Sequence, residues 1–248
     1  MKNKYNIIWL ECVDSTQSYL NSLDTEKLSE WTIIASKSQE KGRGQGENRW
    51  ESEDDKNITC SILLKPNYIS IIDQFKITQV ISLGVYDFLS KYVSNVHIKW
   101  PNDIYVGGNK ICGILIQNKV CGMEYTNAIC GIGLNINQIV FKYAPNPTSL
   151  KIETNLDFII NDCLIELLDC IRHREIMLIE GKAEELNDKY KLNLLYYNVW
   201  AKYYYKNEYI WARILDVNEF GYLILEKRDN RKIEVELKEI KFCHQIEE

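Results

Sequence analysis

The hydrophobic positions follow two periods along the chain. Ile7-Ile8-Trp9-Leu10, Trp31 to Ser36 and Ile58 to Leu64 are short apolar or alternating runs that predict strands. Between the first two, Asp14-Ser15-Thr16 offers N-cap side chains ahead of Tyr19, Leu20 and Leu23 at helical spacing. From Asp73 to Val93 the residues Ile77, Val80, Ile81, Val85, Phe88, Leu89 and Tyr92 fall three and four apart, which predicts a long amphipathic helix. His97 to Trp100, Asp103 to Val106 and Lys110 to Ile116 return to strand patterns, broken by Pro101-Asn102 and by Gly107-Gly108-Asn109, and Glu124 to Asn137 predicts one more strand. Helical spacing resumes from Leu156 to Ile179 and again from Lys182 to Tyr190. Past Leu194 the pattern shortens into strands at Val199–Tyr205, Tyr209–Val217, Tyr222–Glu226 and Lys232–Leu237, so a boundary is expected there, with a first unit over 1–193 and a small β-barrel over 194–248.

Composition narrows the class. A chain of 248 residues that is 46% hydrophobic buries a sizeable core, and its formal net charge of −5 argues against a general nucleic-acid-binding surface. No apolar run approaches the ~20 residues of a membrane span, and strand-like residues begin at Tyr5, so no membrane or export segment and a cytoplasmic location are expected. Eight cysteines are scattered without a Cys-x-x-Cys spacing, which predicts reduced thiols in the core rather than disulfides. Three histidines without paired ligand spacing predict no protein-held metal site.

The densest chemistry lies between Lys99 and Leu115. Lys-Trp-Pro-Asn-Asp is followed after a tight turn by Lys110-Ile111-Cys112-Gly113-Ile114-Leu115, and that turn brings Asp103 and Lys110 together from neighbouring strands. Taken alone, such a pair is either half of a site or an ordinary cross-strand ion pair. Gly42-Arg43-Gly44-Gln45-Gly46, in a polar stretch from Lys37 to Lys56, lets backbone N–H groups approach an anion beside a guanidinium, yet it is neither a P-loop nor a dinucleotide fingerprint and is equally compatible with a plain surface loop. Gly131 and Gly133 sit inside a strand, where glycine marks close approach of a backbone or ligand, and Asn135 is either a strand-end asparagine or an amide aimed at a base edge.

Together, Val13-Asp14-Ser15-Thr16-Gln17, Gly42-Arg43-Gly44, Trp50, Lys99-Trp100-Pro101-Asn102-Asp103, Lys110 to Leu115 and Gly131 to Asn137 closely resemble the biotin protein ligases. The resemblance implies an α+β fold, with a mixed sheet packed by helices in a class II synthetase-like catalytic domain and an SH3-like β-barrel at the C-terminus. It implies ATP-dependent formation of biotinyl-5′-AMP and transfer of biotin to a lysine of a biotin carboxyl carrier domain of a carboxylase. The N-terminal helix-turn-helix of the repressor members is not expected, because the first strand begins within ten residues of Met1. A lipoate ligase or octanoyltransferase, and a non-catalytic biotin-binding module, are the alternatives.

By the same resemblance Ser15, Thr16, Gln39, Arg43, Lys110, Gly113 and Leu115 bind biotin, while Gly42, Gly44, Trp50 and Asn135 bind the nucleotide, Trp50 stacking on adenine. Lys110, Arg43, Lys99 and Asp103 carry the chemistry, Trp100 and Ile114 add apolar wall, and Mg2+ accompanies ATP. A homodimer formed through a sheet edge is compatible with the chain. Two departures stand out: position 45 is glutamine where many members have a second arginine, and Glu40 puts a negative charge beside the glycine-rich turn.

Overall fold

The computed structural model describes residues 5–246 apart from 47, 123 and 238, so Glu47 of the glycine-rich loop lies outside the described residues. One mixed sheet is built from β1 (Asn6–Val13), β2 (Thr32–Gln39), β3 (Ile58–Leu64), β4 (Val96–Lys99), β5 (Asp103–Val106), β6 (Asn109–Cys121) and β7 (Glu124–Leu134). The strand order is β1-β2-β3-β7-β6-β5-β4; only β1 and β2 run parallel. The helices are α1 (Thr16–Ser22), α2 (Phe75–Leu89), α3 (Leu150–Thr154), α4 (Ile160–Ile179) and α5 (Ala183–Leu192). A second, antiparallel sheet of β8 (Trp200–Tyr205), β9 (Glu208–Val217), β10 (Leu223–Lys227), β11 (Lys232–Val235) and β12 (Ile240–Ile246) has the order β11-β10-β9-β8-β12.

Alternation along the central strands explains where the core ends and a site can begin. One face, carrying Ile33, Ala35, Ile58, Cys60, Ile62 and Cys130, joins the main core with α2 and α4. The other face is apolar only at one end, where Ile34, Leu63 and Ile129 pack on Leu20 of α1. Along the same face the residues become small and polar: Ser36 is opposite Thr59, Thr59 opposite Gly133, and Ser61 opposite Gly131. No helix covers this end of the sheet through apolar contacts, and a cavity opens over it.

The two sheets share one core. After α5 the backbone joins the free edge of β4, with Ile98 N donating to Asn193 O at 2.8 Å and Leu195 N to Ile98 O at 2.8 Å. The buried cluster is continuous from Ile98 and Trp100 through Leu194 to Tyr203 and Leu223. Five of the eight cysteines are buried, and all eight are free thiols, as expected.

Several elements differ from the sequence-based expectations. The helix expected from Leu156 begins at Ile160, because the Asn137 side chain engages both backbone groups of Phe158: its amide donates to Phe158 O at 2.8 Å and its carbonyl accepts from Phe158 N at 3.0 Å. The strand expected to reach Asn137 stops at Leu134, where Asn135 N turns to Ile111 O. β6 runs on to Cys121 through polar residues paired with β7, and α3 and β12 had no counterpart in the hydrophobic pattern.

Candidate active site

A cavity of about 670 Å³ lies over the small, polar end of the central sheet, with the second sheet forming its opposite wall. Its floor is set by register. Gly113 of β6 faces Gly133 of β7, and Leu115 faces Gly131, so three of these four facing positions carry no side chain. The Trp50 indole uses this space: a Cβ on Gly133 would come within 2.4 Å of Trp50 Cε2, and one on Gly113 within 2.9 Å of Cζ3. The glycines of the Gly-Ile-Gly strand thus answer to an aromatic ring and, at Gly131, to the Gln17 side chain.

Beside the floor stand the charged residues. The turn at Gly107-Gly108 and a bulge between Ile104 and Tyr105 set Lys110 opposite Tyr105, while Lys99 pairs with Asp103 across β4 and β5. Lys99, Asp103, Tyr105 and Lys110 therefore share one face. Lys110 Nζ donates to Asp103 Oδ2 at 2.6 Å, both side chains being only partly exposed, and lies 6.0 Å from the centre of the Trp50 ring. The Lys110 backbone is itself fixed, donating to Asn146 O at 2.8 Å and accepting from Thr148 N at 2.9 Å. Lys99 Nζ donates to Tyr105 Oη at 3.2 Å, and burial pushes its pKa below the ordinary lysine value. The expected approach of Asp103 to Lys110 is therefore present, and both line the cavity together with Lys99.

The glycine-rich loop is a small hairpin. Trp50 N donates to Gly42 O at 2.9 Å and Gly44 N to Asn48 O at 2.8 Å, with Arg43 bridged to Arg49. Arg43, Gly44 and Trp50 line the cavity; Gly42 is buried behind Trp50. Arg43 is exposed and reaches Ser18 Oγ only at 3.4 Å, and Glu40 is exposed. Directly after the tryptophan, the Glu51 carboxylate accepts from Lys142 N at 2.7 Å, Tyr143 N at 2.8 Å and Ala144 N at 3.1 Å. Burial is the largest single influence on Glu51 and acts to raise its pKa, but the three N–H donors together outweigh it and leave the carboxyl below its usual range.

Across the floor, Ser15 caps α1, and Gln39 Oε1 accepts from Thr16 N at 2.8 Å, while the Thr16 hydroxyl meets Ser61 Oγ at 2.9 Å. Ser15, Thr16, Gln39, Gly113 and Leu115 all line the cavity, as do Trp100 and Ile114. Asn135 does not line it: its amide donates to Thr148 O at 2.9 Å, and its buried Oδ1 has no protein partner. Sequence reasoning missed Tyr105, which holds Lys99 from behind the lining, Glu51, which anchors the tryptophan loop, and the wall that includes Tyr222, Lys241 and Phe242. The resemblance already carried Gln17; nothing in the spacing of the last fifty residues pointed inward. Among the described residues no cluster of three His, Cys, Asp or Glu side chains is placed to hold a metal, and no helix is long and apolar enough to cross a membrane.

Comparison with known proteins places this geometry. The model of the biotin/lipoate A/B protein ligase family matches residues 9–135. A bifunctional ligase/repressor BirA of Bacillus spizizenii is 29% identical over 134 residues, which is 54% of this chain and 41% of that protein. Biotin–protein ligase 1, chloroplastic, of Arabidopsis thaliana is 30% identical over 114 residues, 44% of this chain and 30% of the relative. The chain thus spans less than half the length of the curated relatives it matches. Among solved structures, a biotin protein ligase from Aquifex aeolicus in complex with biotin and ATP superposes with a TM-score of 0.79 at 26% identity, covering 95% of this chain and 97% of that one.

Proposed function

The chain belongs to the biotin/lipoate A/B protein ligase family, and from that premise we propose that it is a biotin protein ligase, which activates biotin with ATP and transfers it to a lysine of a biotin carboxyl carrier domain. In the first step a biotin carboxylate oxygen bonds to the α-phosphorus of ATP while the bond to pyrophosphate breaks. In the second, the acceptor lysine's amine attacks the carbonyl carbon, AMP leaves and the nitrogen loses a proton. Neither step needs a protein nucleophile; both need placement, fixed positive charge and exclusion of water.

The observation that carries this reading is the Lys110–Asp103 pair beside the Gly113–Gly133 floor, 2.6 Å long and facing a cavity of about 670 Å³. Asp103 and the backbone bonds on either side preorganise Lys110, so its ammonium needs little rearrangement to meet charge building between carboxylate and phosphate. Thr16 and Gln39, joined through Thr16 N and Gln39 Oε1, and the Ser15 hydroxyl at the start of α1 offer polar groups suited to the biotin ureido ring, with the backbones of Gly113 and Leu115 closing it. Trp50 offers its ring to adenine, with Gly42 and Gly44 shaping its loop, and Arg43, exposed at the mouth, is free to swing onto carboxylate or phosphate. Asn135, placed behind the cavity wall rather than at the base, would brace the Thr148 segment that holds the Lys110 backbone. Mg2+ would arrive with ATP, held mainly by the substrate's own phosphates in the absence of a three-ligand protein cluster among the described residues.

The two units of this reading are the catalytic residues 1–193, of class II synthetase type, and an SH3-like barrel over 194–248. The Aquifex aeolicus ligase, matched along both sheets and solved with biotin and ATP, supports it. Pyrophosphate–ATP exchange tests the substrate. Exchange that requires biotin and is not supported by lipoate or octanoate is the expected result; equal exchange with lipoate would move the chain to the lipoate branch of its family.

A further inference from the structure

Lys99 is gripped by both sheets. Its Nζ lies 5.0 Å from the centre of the Tyr105 ring, on β5, and 5.5 Å from the Phe242 ring, on β12. Phe242 is itself braced, stacked with Tyr196 at 6.3 Å and set edge-on to Tyr203 at 5.1 Å, and its backbone pairs with Tyr203 in the second sheet. Lys99, Phe242 and Lys110 line the same cavity. A lysine side chain in a site samples many rotamers; the Tyr105 hydroxyl, from the central sheet, and the Phe242 ring, from the second, restrict this one.

We propose that Phe242 is a positioning residue for the adenylation step: through it the second sheet, with Tyr105, holds the Lys99 ammonium toward the phosphate side of the cavity. This rests on the biotin ligase reading for its chemistry, but the contact itself does not. The second sheet then does more than wall the cavity, because the orientation of one cation in the site depends on a ring that enters from β12. Lys99 has no carboxylate within ion-pairing distance among the described residues, so the Tyr105 hydroxyl and the Phe242 ring are what fix it. Burial lowers its pKa, with the neighbouring Lys110 charge acting the same way against the opposing pull of Asp103.

A double-mutant cycle with a chemical readout tests the proposal. Phe242→Leu keeps an apolar side chain in the core but removes the ring face; it should lower the single-turnover rate of biotinyl-AMP formation roughly three- to thirty-fold, the range that corresponds to one cation–π contact. The same substitution in a Lys99→Ala background should change the rate less than twofold, and Phe242→Tyr, which restores an aromatic face, should recover most of the loss. Equal effects of Phe242→Leu in both backgrounds, or a loss that Tyr does not restore, would mean that Phe242 only packs the fold and would overturn the proposal. The second readout needs no activity: the pH dependence of Lys99 acylation by acetic anhydride, followed by mass spectrometry. Its midpoint should fall in Phe242→Leu, where the apolar burial stays but the ring's attraction for the ammonium is lost, and not in Phe242→Tyr; an unchanged midpoint in Phe242→Leu would also count against the clamp. If the unmutated protein forms no adenylate with biotin, the ligase reading fails and the acylation midpoint alone decides whether Phe242 holds Lys99.

Discussion

At the scale of single residues, Lys110 has most to lose by substitution. Its ammonium is fixed by Asp103 through a side-chain bond and by Asn146 and Thr148 through the backbone, so it enters the reaction already placed. Lys110→Ala should slow adenylate formation by two to three orders of magnitude, since removal of one preorganised charge contact commonly costs about 3–4 kcal/mol; rapid-quench measurement of biotinyl-AMP in a single turnover checks it. Asp103→Asn should give a smaller loss that shrinks as ionic strength rises, because salt screens the ion pair that only the unmutated protein has. The sequence made this pair legible through one device, the tight turn that folds Asp103 back over Lys110. Tyr105 shares that face by simple alternation with Asp103; what leaves no mark in the sequence is the bulge at Ile111 that sets Lys110 opposite Tyr105.

At the scale of elements, the hairpin over 42–50 is held from behind. Its tryptophan rests on the glycine floor, and the next residue, Glu51, is bonded to three consecutive backbone N–H groups of the 142–144 segment. Gly133→Ala should drive the Trp50 ring off the floor and raise KM for ATP roughly three- to tenfold, the worth of one aromatic stacking contact, while biotin binding changes less; steady-state exchange kinetics separate the two. Glu51→Gln should speed proteolytic cutting within 42–50 at neutral pH. The sign of its pH dependence follows from its lowered pKa: the stabilisation is complete above the ordinary carboxylate range and is lost as pH falls through the depressed folded value, so the cutting rates of the two proteins should converge at acidic pH. The floor was partly legible, because two glycines inside a strand demand a close neighbour. Which neighbour fills the space was not, since Trp50 reaches Gly113 and Gly133 from a distant part of the chain.

At the scale of the whole molecule, the two sheets behave as one body around the cavity. Trp100 Nε1 donates to Gly221 O at 3.0 Å, the backbone at 193–195 extends β4, and the buried core is unbroken between the sheets. The central sheet is backed by a close crossing of α2 on α4, where a Cβ on Gly84 would come within 2.6 Å of the Ile171 Cα. Gly84→Ala should therefore destabilise the fold by about 1–3 kcal/mol through overpacking, read as a fall in the urea midpoint without loss of slope. Apart from the short α3, the order of strands and helices up to Ile179 was legible because buried faces impose their period on the chain. β12 was not: Ile240 and Phe242 alternate with charged and polar residues over too short a run to register, although Phe242 reaches the site. In the proposed reaction this cavity joins biotin, through an adenylate, to one lysine of a carrier domain. Intact-mass measurement of an isolated biotin carboxyl carrier domain after incubation with the protein, biotin and ATP reads that outcome. A gain of one biotinyl group on a single lysine, dependent on ATP and lost in Lys110→Ala, is the expected result; no gain, or labelling scattered over many lysines and indifferent to ATP, would contradict it.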